Sequence, residues 1–321
     1  MRWSWATGCC FLGAMTLSNA ALAVSSAELY TATSYPYGRF EARARLAAGD
    51  GVVSSFFLWK DGSERAGTFW NELDFEKVAA ECRLETNPIY GKPAANHSQR
   101  HPLVLDVCGA FHSYEFIWTP EALVWLVDGV EIRRETGAAA RAFTENAEAL
   151  GMQIHLNLWP GDATFGGNFS PGILPVHQYI DWVQYSTYED GAFTLAWRED
   201  FDGATVPEGW RTGTWPSPKN KSTHATENVN FIDGYAVLSL TADDARGPAG
   251  AMPVGGSTGS ASNATGGSSS NGNGGGVNAG SGPPMSDSAC SFSHAPQSET
   301  RLGGLALLAL AWLRRRRAPR S

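Results

Sequence analysis

Three carboxylates alternate through one short stretch, Trp70-Asn71-Glu72-Leu73-Asp74-Phe75-Glu76. In an extended strand successive side chains point to opposite faces, so Glu72, Asp74 and Glu76 share one face while Leu73 and Phe75 point into a core. Like charges held together repel, and nothing basic lies between these three, so the cluster marks a place where charge is wanted. Straight-strand geometry puts the Cα atoms of Glu72 and Glu76 about 13 Å apart. Two glutamates leaning inward from a concave sheet would bring their carboxyls to about 5–6 Å, close to the roughly 5–5.5 Å between nucleophile and acid/base in retaining glycosidases. An acidic solvent face is the alternative reading of this stretch alone, and its neighbours must decide.

Those neighbours read as an all-β domain. Phe40, Ala42, Ala44 and Leu46 alternate with Glu41, Arg43 and Arg45, as in a strand with one wet face. Val52–Trp59 is more uniformly apolar, interrupted only by Ser54 and Ser55, and reads as central. Residues 112–118 and 123–135 follow, the second folded at Asp128-Gly129, a strong hairpin signal. Met152–Trp159, Gln178–Tyr188 and Phe193–Phe201 continue the pattern, and Val229–Leu240 turns at Asp233-Gly234. Only 139–150 has helical spacing. Many short strands with turn residues between them predict a β-sandwich.

The ends of the chain differ from its middle. Residues 1–23 carry Arg2, the apolar run Cys9–Leu17 and Ala21-Leu22-Ala23, a secretory signal peptide with its cleavage site. From Thr241 the composition shifts, and Gly, Ser and Asn dominate between Pro253 and Ser286, as in a flexible linker over 242–289. A tail over 290–321 holds Cys290, the apolar run Leu302–Leu313 and Arg314–Arg317. Eight of the 24 basic and four of the 32 acidic residues lie outside 24–241, leaving that domain 16 basic and 28 acidic residues, a formal net charge of −12. Such a domain has no footprint for nucleic acid. A neutral or cationic substrate suits it. Of its nine tryptophans, Trp118, Trp125 and Trp182 read as core, while Trp59, Trp70, Trp159 and Trp215 sit at strand ends or beside polar loops, where indole faces can stack on sugar rings.

The carboxylate stretch resembles the E-x-D-x-E signature of family 16 glycoside hydrolases. So do Tyr37–Arg43 (YGRFEAR), Gly51–Trp59 (GVVSSFFLW), Phe111–Pro120 (FHSYEFIWTP), Val127-Asp128-Gly129 and Asn157–Gly161 (NLWPG), in the family's order. The resemblance implies a concanavalin-like β-jelly roll, with Glu72 as nucleophile, Glu76 as general acid/base and Asp74 as helper between them. The E-x-D-x-E spacing is similar to that of lichenases and xyloglucan-active enzymes, and the lichenase resemblance implies a secreted, retaining endo-β-glucanase acting on β-1,3-1,4-glucan. It implies glucan-binding positions at Glu28, Phe57, Trp59, Glu64, Asn87, Asn157 and Trp159, with Trp215 closing one end. It implies no catalytic cofactor, and a structural calcium held by Asp181, Asp200 and the carbonyl of Gly234. An endo-1,3-β-glucanase, a glucan transglycosylase and a non-catalytic glucan-binding jelly roll are the alternatives.

Several positions depart from the lichenase pattern. Trp59 stands where a tyrosine is usual, Phe165 where a second cleft tryptophan is usual, and Glu85 where a glutamine is common. Phe201-Asp202-Gly203, Gly213-Thr214-Trp215, Glu227-Asn228-Val229 and Asp233-Gly234-Tyr235 resemble the segment that ordinarily comes first but here comes last. The chain thus resembles the naturally permuted lichenases, with the usual termini joined through Glu189-Asp190-Gly191. Export makes a disulfide between Cys82 and Cys108 chemically allowed. An antiparallel hairpin of 82–90 with 100–108 would centre on residue 95 and face the two sulfurs. Cys290, the apolar run and Arg314–Arg317 resemble the MYXO-CTERM type of sorting tag. The twelve-residue run is short of the ~20 a membrane span needs, which fits a transient membrane stop. The resemblance implies a partner in sorting machinery and an enzyme retained at the cell surface. The protein is separately expected to be a monomer.

Overall fold

The computed structural model describes residues 23–251, apart from 103, 104 and 148. The expected tail, the expected linker beyond residue 251 and residues 1–22 of the expected signal peptide lie outside the described residues. Residues 242–251, expected as the start of the linker, instead pack on the domain, where Arg246 pairs with Asp243 and the Gly247 N–H donates to Asn228 Oδ1 at 2.8 Å. The strands run β1 (Val24–Thr31), β2 (Gly38–Arg45), β3 (Val52–Trp59), β4 (Trp70–Val78), β5 (Arg83–Gly91), β6 (Ala94–Asn96), β7 (Gln99–His101), β8 (His112–Trp118), β9 (Ala122–Val127) and β10 (Val130–Thr136). Helix α1 (Ala138–Ala147) follows, then β11 (Gln153–Pro160), β12 (Val176–Glu189), β13 (Ala192–Glu199), β14 (Trp210–Thr212), β15 (Thr223–His224), β16 (Val229–Ile232) and β17 (Tyr235–Ala242). The expected all-β class holds, and the architecture is jelly-roll-like.

Register resolves the strands into two antiparallel layers. One runs β14-β1-β11-β3-β4-β5, with β6 and β7 both paired to β5. The other runs β10-β9-β8-β2-β12, and β12 pairs in turn with β13 and with β17, which pairs with β16. A short β1–β17 pairing joins them, with Val24 opposite Ala242. Three hairpins turn on Asp-Gly, at 128–129, 190–191 and 233–234, with both residues at positive φ. That backbone matches the twist of the flanking strands, and glycine adopts it without penalty.

The two layers share one core. Phe56 and Phe75 from the first meet Phe116 of the second at ring-centroid distances of 4.9 and 4.7 Å. Full burial of such a side chain contributes roughly 2–3 kcal/mol. Val52–Trp59 is buried along its whole length because β3 is paired on both sides. Trp118 and Trp125 are fully buried as expected. Trp182 is not. The ladder between β12 and β2 slips between Ile180 and Trp182, and the indole lies half-buried beneath Arg198, whose guanidinium carbon is 4.4 Å from its ring centroid.

Cys82 and Cys108 form a disulfide with their Cα atoms 6.1 Å apart. The register that produces it differs from the expected one. Gly91 pairs with Ala94 and Leu84 with His101, so the hairpin turns at Lys92-Pro93 and the sulfurs do not face each other across the ladder. The chain beyond β7 instead returns Cys108 to the start of β5.

Candidate active site

Strand β4 places Leu73 and Phe75 in the core, each 1% exposed, and turns Glu72, Asp74 and Glu76 into a cleft of about 500 Å³. The expected alternation is realised residue by residue. Register extends it across the sheet as three rows of side chains on one face. Trp59, Glu72 and Ile89 form one row on β3, β4 and β5, and Phe57, Asp74 and Asn87 the next. Ser55, Glu76 and Glu85 form the third. On β11, Gln153, His155 and Asn157 continue the rows, and β1 adds Tyr30 and Glu28 opposite the last two. All these residues line the cleft.

The second layer holds strand β4 from behind. Trp125 Nε1 donates to the Asp74 carbonyl at 3.1 Å. Arg133 donates to the Thr86 carbonyl at 2.9 Å and the His97 carbonyl at 2.8 Å, fixing β5 and the loop after β6. On the cleft side Trp70 Nε1 donates to Glu72 Oε2 at 2.8 Å, and Trp59 meets Trp70 edge to face at 4.9 Å. Trp159 stacks with Phe165 at 6.0 Å.

Burial first, then mutual repulsion, sets the protonation of the three carboxylates. Glu72 is pushed up to about 7 by burial, opposed by hydrogen bonds from Trp70 and Asp74 and assisted by the charge of Glu28. Asp74 is held well above the ordinary carboxylate range by burial and by the charges of Glu72 and Glu76. Its hydrogen bond to Glu72 keeps the proton on Asp74 and favours a charged Glu72. Glu76 is raised well above its usual range by burial, then by Glu85 and Glu72. Three carboxylates this close cannot all ionise, so the site keeps protons on some of them at neutral pH.

Glu28 behaves in the opposite way. Burial alone would raise it, but His155 Nδ1 at 2.7 Å and His224 Nε2 at 3.1 Å more than offset that and hold it near about 2. Trp215 Nε1 also donates to Glu28, at 3.1 Å. Gly213 makes this approach possible, because a Cβ there would lie 3.0 Å from that of Glu28 and 3.2 Å from the Trp215 ring. The result is a fixed anion at one end of the cleft.

Of the expected glucan-binding residues, the structure brings Glu28, Phe57, Trp59, Asn87, Asn157, Trp159 and Trp215 to the cleft. Glu64 lies buried in the connection between β3 and β4, and Asp61 lines the cleft from that connection in its place. A turn closed by the Ser63 N–H on the Lys60 carbonyl carries the chain away from the cleft before Glu64. Tyr30, His155 and His224 are cleft residues that the sequence reading passed over. Tyr30 and His155 each lie two positions from a residue that reading did place there, so strand period alone could have found them.

The expected calcium ligands gather around the irregularity in β12. Asp181 is the residue skipped in its ladder with β2. The pairs Ile180–Ala236 and Val183–Glu199 bring Gly234 and Asp200 towards it. These donors suit calcium's preference for oxygen. Each carboxylate nevertheless faces an arginine that a cation would have to displace, Asp181 with Arg43 and Asp200 with Arg198. Among the described residues no group of three or more His, Cys, Asp or Glu is placed to hold a metal.

The family described as "Glycosyl hydrolases family 16" matches residues 2–184. A β-glucanase of Fibrobacter succinogenes is 36% identical over 240 residues, 71% of this chain and 67% of that protein. A β-glucanase of Bacillus amyloliquefaciens is 31% identical over 153 residues, and the chain spans 59% of its length. Among solved structures, a Bacillus licheniformis β-glucanase superposes with a TM-score of 0.43 at 26% identity, over 51% of this chain and 78% of that one. With a family match over more than half its length and a relative at 36% identity of which it spans two thirds, this chain belongs to family 16 of the glycosyl hydrolases.

Proposed function

We propose that the protein is a retaining endo-β-glucanase that hydrolyses mixed-linkage β-1,3-1,4-glucan. The observation that carries this is the row of Glu72, Asp74 and Glu76 along the floor of an aromatic-walled cleft. Glu72 attacks the anomeric carbon as Glu76 gives its proton to the leaving glycosidic oxygen. Glu76, now ionised, takes a proton from water, which displaces Glu72 and restores the configuration. Asp74 keeps its proton and steadies Glu72 through their shared hydrogen bond. The β-glucanase relatives support the substrate class, and the resemblance to lichenases supports the mixed linkage, while the E-x-D-x-E spacing alone fits xyloglucan-active enzymes equally. Reducing-sugar release from barley glucan, lichenan, laminarin and xyloglucan tests it. Barley glucan and lichenan should be cut and laminarin left intact. Preferential cleavage of laminarin would favour the endo-1,3-β-glucanase reading.

The strand order is proposed to be a circular permutation. The match to the Bacillus amyloliquefaciens enzyme covers 47% of this chain and that to the Fibrobacter enzyme 71%, a difference that a shared order with the latter alone would produce. The pairing of Val24 with Ala242 puts the first and last strands side by side, where rejoining the chain is structurally easy. A variant joined there and reopened at Asp190-Gly191 should keep its activity, and an unfolded product would count against the idea.

Calcium is proposed as a stabiliser bound by Asp181, Asp200 and the Gly234 carbonyl. At 100 times its Kd a ligand of the folded state adds about 2.7 kcal/mol, so calcium should raise Tm and a chelator lower it. A Tm indifferent to both removes the site. The protein is proposed to be exported, cut near Cys290 and retained at the cell surface. Mass spectrometry of the mature protein should find an end near Cys290. An intact Ser321 would rule out that processing.

A further inference from the structure

Glu85 is an acidic residue of the cleft without a role in the reaction as described. Glu85 on β5 lies directly opposite Glu76, and Arg100 on β7 lies directly opposite Glu85. Directly opposed side chains of an antiparallel pair have Cβ atoms about 4.5–5.5 Å apart, and like charges placed so repel. Glu85 is only 4% exposed, so water screens it little. Its Oε2 accepts a hydrogen bond from Arg100 Nε at 2.9 Å, from an arginine side chain that is 60% exposed. The carboxylate is therefore turned towards the acid/base while its counter-ion sits largely in solvent.

We infer that Glu85 is a positioning residue that keeps the proton on Glu76, and that Arg100 limits how strongly it does so. This rests on the assignment of Glu76 as acid/base. The other groups facing Glu76 have different tasks. On its own strand Glu72 is the nucleophile and Asp74 is bonded to Glu72. From β3 the opposing residue is Ser55, which carries no charge. Farther along the cleft, Glu28 is paired with His155 and His224. Glu85 is thus the one opposing charge beside Glu76 whose partner can be altered without touching the nucleophile. After burial, it is the largest influence raising Glu76.

The sign follows from charge. Neutralising Glu85 makes an ionised Glu76 easier to form, so the proton leaves at lower pH. Removing Arg100 leaves Glu85 uncompensated, so the proton leaves at higher pH. In the pH profile of kcat/KM, Glu85→Gln should move the basic limb down by roughly 1 pH unit, the scale expected for a close charge. The acidic limb, set by Glu72, should stay in place. Arg100→Met should move the basic limb up, and because Arg100 is mostly exposed this variant reports even if Glu85→Gln fails to fold. A basic limb that stays put in a folded Glu85→Gln protein, or one that fails to rise in Arg100→Met, overturns the inference. The underlying assignment is checked separately by Glu76→Ala. Its loss should be far greater on barley glucan than on a dinitrophenyl glycoside, whose leaving group needs no acid. Equal losses would remove the acid/base role itself, whatever the Glu85 profile shows.

Discussion

Replacing Glu72 with alanine should reduce turnover of barley glucan by on the order of 10⁴-fold or more, because the proposed covalent step would lose its nucleophile. Added azide should restore part of the rate. The small anion fits where the carboxylate was and attacks from the same face, but no second displacement follows, so the glycosyl azide has inverted configuration. The fold should persist, and Tm should not fall. Glu72 is one of the charges that push Asp74 and Glu76 up, so its removal relieves repulsion in a buried cluster. A site that holds like charges together for chemistry commonly gives up stability to do so. Near-normal activity of Glu72→Ala, or an azide product of retained configuration, would overturn the nucleophile assignment.

The parts of this site that were legible in the sequence are those carried by strand period. Glu72, Asp74 and Glu76 could be placed on one face because β4 alternates strictly, with Leu73 and Phe75 in the core. The Asp-Gly turns were legible because few other dipeptides accept that backbone. Strand β1 was not legible as a strand. Its sequence VSSAELYT shows no clean alternation, because it pairs with β11, β14, β15 and β17 and is buried along most of its length. The neighbours of Glu28 were hidden for a related reason. His155 and His224 lie 127 and 196 residues away in sequence, and only register brings them within hydrogen-bond distance.

Register also explains what local pattern misjudged. The three rows across β3, β4 and β5 decide which side chain meets which, and a strand's own sequence says nothing about its offset from its partner. Trp182 looked like core because it continues the apolar alternation of β12. The irregularity after Ile180 turns it outward instead. Glu85 looked like a simple departure from a common glutamine. Only the pairing with Glu76 gives that departure a chemical consequence.

The second large effect expected is on stability. The Cys82–Cys108 bridge closes a loop across a sequence separation of 26. In the chain-entropy model such a loop contributes about 3.5 kcal/mol by restricting the unfolded chain. For a domain of this size, the paired Cys82→Ser and Cys108→Ser changes should then lower Tm by roughly 10 °C. The effect should reach the cleft, because the closed loop contains β5, β6 and β7 and hence Glu85, Asn87, Asn96 and Arg100. Arg133 still holds β5 from behind through the Thr86 carbonyl, so the wall should loosen at β7 before it loosens at β4. Amide exchange should therefore accelerate at 99–101 well before it does at 70–78. Thiol titration of protein purified without reductant should find neither Cys82 nor Cys108 reactive. Two free thiols, or a Tm unchanged by the double substitution, would show that the bridge does not hold this wall.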